Sequence, residues 1–62
     1  MINMYSVANL CDPRVFAVFE AKLKDCQQEK LDKVLQRVDT LYKAGKQLER
    51  AMADALQELK LV

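Results

Sequence analysis

Between Leu31 and Val62 the chain repeats apolar residues in steps of three and four. Leu31, Val38, Gly45, Met52 and Leu59 fall at one seam position of a seven-residue repeat. Val34, Leu41, Leu48, Ala55 and Val62 fall at the other, and of these ten positions only Gly45 is not clearly apolar. A 3-4 stripe of this length has to lie lengthwise against another helix, as in a coiled coil. Leu35, Tyr42 and Leu56 flank the seam and widen it, as packing against more than one helix requires. The expected fold class is all-α: one long amphipathic helix or a helical hairpin, with coiled-coil-like packing, assembled into an oligomeric helical bundle.

The start of the helical region is well marked. Asp12 is a good N-cap, since its carboxylate accepts from free N–H groups of a first turn, and Pro13 suits the first helical position. From Pro13, Val15, Phe16, Val18, Phe19, Leu23 and Cys26 make a broad apolar stripe at helical spacing. Both phenylalanines lie in it, and the expectation is that they are core. The helical region is expected over residues 13 to 60. Residues 1 to 11 show no clean period and are expected to be an arm or flap covering the helix, with Ser6 capping a short turn through Leu10.

Two places inside the helical region invite a break. At Gln27-Gln28-Glu29-Lys30 the apolar register slips by one residue, which fits either a drifting buried face or a turn between two helices. Asp25 with Gln28 is a weak capping-box match there. Gly45, the single glycine, can end a helix in the left-handed conformation. The seam nevertheless keeps step across Gly45, which favours a helix running through it. On that reading Gly45→Ala is neutral or stabilising.

Sixty-two residues make one small domain, residues 1 to 62. A core of this size barely offsets the ordering entropy, so such chains are usually stapled by disulfides, a metal or a partner chain. Two cysteines and no histidine fit neither a disulfide scaffold nor a zinc site. The partner chain is left, and a second copy is the expected one. The expected interface is Phe16, Phe19, Leu23, Leu31, Val34, Val38, Leu41, Leu48, Met52 and Leu59. No cofactor and no metal are expected.

The same residues bound the function. Without histidine, catalysis would rest on carboxylates, lysines or thiols, and the carboxylates fall on the polar side of the predicted helices. Cys11, just before a helix start, is the one candidate for a reactive thiol. No enzymatic activity is expected. Residues 1 to 11 carry no positive side chain, unlike a secretory leader, and no apolar run approaches the ~20 residues of a membrane span. A mixed-sign polar face without tryptophan does not suit a membrane surface. A cytoplasmic location with free thiols is expected.

The expected function is that of a small protein-interaction or regulatory protein acting through helix surfaces as a homodimer, with another protein as further partner. The alternative is a helical dimer that binds nucleic acid through outer basic residues. Between residues 22 and 50 eight bases are interleaved with five acids, rather than gathered on one stripe as phosphate tracking prefers. In size and helical character the chain is similar to the plasmid RNA-binding hairpin Rop and to the short helical co-chaperones of type III secretion. That resemblance assigns no residue a role.

Overall fold

The computed structural model describes residues 2–61, all of whose regular structure is helical. Val62, the last position of the seam, lies outside the described residues. Four helices follow in order: α1 Met4–Leu10, α2 Pro13–Leu23, α3 Gln28–Lys43 and α4 Leu48–Glu58. The single long helix expected across Gly45 is not there. The chain breaks both at residues 24 to 27 and at residues 44 to 47.

Each break has a local cause. Lys43 is the last residue of α3, Ala44 caps it, and Gly45 follows with φ +104°. The Gly45 N–H donates to the Tyr42 carbonyl and the Lys46 N–H to the Leu41 carbonyl, at 3.1 and 3.2 Å. Those two bonds are a Schellman motif, which satisfies carbonyls that the helix end leaves free. The end of α4 repeats it without glycine. There Lys60 takes φ 59°, its N–H donates to the Gln57 carbonyl, and the Leu61 N–H donates to the Leu56 carbonyl at 2.8 Å. At the first break α2 ends in a tighter turn, with the Lys24 N–H on the Ala21 carbonyl and the Cys26 N–H on the Leu23 carbonyl. α3 then starts after Gln27, which makes no side-chain cap bond, so Asp25 does not cap it.

The N-terminal starts are better capped. The Asn3 carboxamide oxygen accepts from the Ser6 N–H at 2.8 Å and from its hydroxyl at 3.1 Å. Asn3, rather than Ser6, is therefore the cap of α1. Asp12 accepts from the Arg14 N–H at 2.8 Å, and α2 opens on Pro13.

The turn at Gly45 folds the heptad seam back on itself. Val34, Leu35 and Val38 of α3 meet Leu48, Ala51, Met52, Ala55 and Leu56 of α4 in one buried cluster. The α3–α4 contact is much the largest between any two helices. A turn of four residues leaves the stripe in phase on both arms, so an apolar repeat that suits two chains also suits one chain doubled over. Phe19 and Leu23 of α2, with Ile2 and Val7 from the N-terminal segment, complete the core. That segment is also tied down by a backbone bond from the Ile2 N–H to Asp39 Oδ1, 3.2 Å.

Ion pairs close the outside of the hairpin. Arg37 Nε meets Glu58 Oε1 at 2.9 Å, bridging α3 and α4, and Lys46 holds Asp54 across the turn. Asp39 and Lys43, four apart along α3, also meet, at 3.2 Å. Partial burial pushes the Asp39 carboxyl upward, but bonds from Lys43 and the Ile2 N–H, with the Lys43 charge, hold it below its ordinary value.

Candidate protein-interaction surface

The residues expected at an interface divide into two groups. Phe19, Leu23, Val34, Val38, Leu48 and Met52 are buried within the chain's own core. Phe16, Leu31, Leu41 and Leu59 are half-buried and pack against its edge. Apolar surface outside the core lies elsewhere: Tyr5, Leu10, Val18 and Tyr42 are the large hydrophobic side chains left exposed among the described residues. Of these, Val18 sits in a concave surface.

That surface is an open cleft of about 440 Å³ between α2 and α4. Val15, Val18 and Phe19 form the α2 wall, and Met52, Ala53 and Leu56 form the α4 wall. The helical repeat places them so. Residues four apart share a face, so Arg14, Val18 and Lys22 stand in one row along α2. Glu49, Met52, Ala53 and Leu56 likewise share one face of α4. Phe19 and Met52 form a buried floor, whereas Val18 is 57% exposed on the rim. α2 packs more sparingly on α4 than α3 does, and the space between them is therefore incompletely filled.

Charge marks the mouth of the cleft. Arg14 and Lys22 stand on the α2 side and Glu49 on the α4 side. None of the three takes part in the ion pairs of the described residues, which use Arg37, Lys43, Lys46 and their carboxylate partners. An apolar trough bordered by unengaged charges has the anatomy of an interface, with a dry centre and a polar rim. Sequence reasoning missed it because its walls come from segments some 30 residues apart. Val15 and Val18, the more exposed side of the N-terminal stripe, were the signal available.

Cys11, just before the Asp12 cap of α2, lies within reach of the Glu49 charge. It is half-buried, and its thiol is pushed up, first by burial and then by the charges of Glu49 and Asp12. Burial and the two carboxylates thus act against the activation that a helix start lends a thiol. Alkylation should show this. Cys11 should react with iodoacetamide more slowly at pH 8 than a free thiol of ordinary value, about 8.5. The deficit should close as pH rises past that value, where the raised thiol finally ionises. Peptide mass spectrometry over a pH series checks it, and a rate at pH 8 equal to that of the free thiol overturns it. By the same sign, the Cys11 contribution to stability is full below the unfolded thiol's value and lost as pH rises through the folded one.

Cys26 is the other free thiol. The eleven residues of α2 separate it from Cys11, and a helix of that length spans roughly 16 Å. A disulfide requires Cα atoms within about 7 Å, so the fold keeps the two apart. No group of three or more metal-ligating side chains occurs among the described residues, and no helix is long and apolar enough to cross a membrane. No protein-family model, no curated protein and no solved structure matches the chain.

Proposed function

We propose that the protein is a small, non-enzymatic interaction module whose working surface is the cleft between α2 and α4, and that the cleft receives the apolar face of a helix. One observation carries the reading: an exposed valine and an apolar trough, bordered by three charges that no other described residue engages. Helix-in-groove recognition reads anchors at three- and four-residue spacing. The walls of this cleft have that spacing.

The nucleic-acid alternative draws less support. Three of the eight bases between residues 22 and 50, Arg37, Lys43 and Lys46, are engaged by Glu58, Asp39 and Asp54. Bases so neutralised release fewer counterions on phosphate binding. A reducing, cytoplasmic location remains part of the proposal, in keeping with two cysteines that are both free.

The test is site-specific photocrosslinking in the source cells. A benzophenone side chain at position 18 should give discrete polypeptide adducts. The same group at exposed Glu20, which borders a different part of α2, should give few. Equal labelling at the two positions, or none at position 18, overturns the proposal.

A further inference from the structure

We infer that the occupant of the cleft is the same face of a second copy of this chain, the two copies related by a two-fold axis running along the cleft. The inference rests on the docking reading above and names its partner. What selects a second copy is the distribution of charge. In an isologous dimer each surface meets itself, so the surface has to be self-complementary. This rim carries opposite signs on opposite sides, with Arg14 and Lys22 on α2 and Glu49 on α4.

The order along the cleft also fits. Glu49, in the first turn of α4, lies near enough to Cys11, just before α2, to raise its thiol pKa. The two helices therefore begin at the same end. A two-fold axis parallel to the cleft lays α2 of one copy over α4 of the other without reversing that end. Arg14 then stands over Glu49 of the other copy, twice in the dimer, and Val18 of each copy covers the apolar trough of the other. The other simple arrangement has its axis across the cleft. It lays α2 antiparallel on α2 about Val18, and sets Arg14 against Lys22 at both ends. Like charges so placed disfavour it, and the pattern thus selects one of the two arrangements.

This dimer differs from one formed along the heptad seam, because Val34, Val38, Leu48, Met52 and Ala55 of the seam are already buried between α3 and α4. It also supplies the staple that a chain of 62 residues calls for.

Sedimentation equilibrium of the full chain tests it with Arg14→Glu, Glu49→Arg and an equimolar mixture of the two variants. Both positions are exposed, so the fold tolerates the changes. The wild type should be a dimer. Each variant alone faces like charges twice and should dimerise roughly tenfold more weakly. In the mixture, the carboxylate introduced in the first variant stands over the guanidinium introduced in the second. The other contact of that heterodimer pairs the two unchanged side chains, Arg14 of the second variant with Glu49 of the first. Dimerisation should return to near the wild-type level. A monomeric wild type, or a mixture as dissociated as its components, overturns the inference. The failure is separable from that of the docking reading. Adducts at position 18 with a different polypeptide, alongside a monomeric wild type, leave the cleft a docking surface and remove only the second copy as its occupant. Lack of adducts at position 18 removes both.

Discussion

Phe19→Ala should destabilise the fold by about 3–5 kcal/mol, the range for emptying a buried phenylalanine site. Phe19 is 2% exposed and is among the largest fully buried side chains. It joins the α3–α4 hairpin core to α2 and floors the cleft. A single core in a chain this short supplies only ~3–5 kcal/mol in all. The variant should therefore be largely unfolded at ambient temperature by far-UV circular dichroism. Phe16 separates from its neighbour here. It is half-buried at the edge of the core, and its change to alanine should cost clearly less. A Phe19 variant that melts like wild type, or two variants that melt alike, would contradict a core centred on Phe19.

Gly45→Ala should lower stability by about 1–2 kcal/mol, the cost of placing a side chain in left-handed backbone. The penalty lies wholly in the backbone, since nothing stands within 4 Å of where the new methyl group would go. Crowding therefore contributes nothing, and the loss should not vary with protein concentration. Denaturant titration at two concentrations measures both points. A neutral or stabilised variant, which a continuous helix requires, would show the turn to be wrong. D-alanine at the same position suits a positive φ and restricts the unfolded chain, so it should not destabilise. Lys60 carries natively the strain that Gly45 avoids, at φ 59°.

The two variants also mark how far the sequence reaches. Apolar periodicity made an all-helical chain legible, and Asp12 with Pro13 marked where α2 begins. It made Val34, Val38, Leu48 and Met52 legible as residues that must be covered. It carried no information on what covers them, because a seam in phase across the turn reads alike in a straight helix and in a hairpin. Gly45 was the only local clue, and its signal competed with the unbroken repeat. The break before α3 was harder still. Gln27 and Gln28 are good helix formers and no glycine or proline marks the turn; the one-residue slip of the stripe betrayed it, beside a weak capping-box match at Asp25 and Gln28 that forms no cap. Cys11 shows the limit for chemistry. Its helix dipole is visible in the local sequence, but Glu49 approaches it from 38 residues away and is not.

The unequal sharing of the core has a consequence for how the molecule opens. The α3–α4 hairpin holds most of the helix–helix contact and is closed by ion pairs, whereas α1 and α2 rest on it through a few side chains. Amide protons around Val34–Val38 and Ala51–Ala55 should then exchange with solvent only on global unfolding, and those of α1 and α2 through cheaper, partial opening. Because α2 is one wall of the cleft, each partial opening dismantles the proposed docking surface, and docking there would suppress the opening. On the proposed function, occupancy of the cleft and protection of α2 from exchange would be two readings of a single equilibrium, and a bound partner would, by mass action, hold the first half of the chain in place.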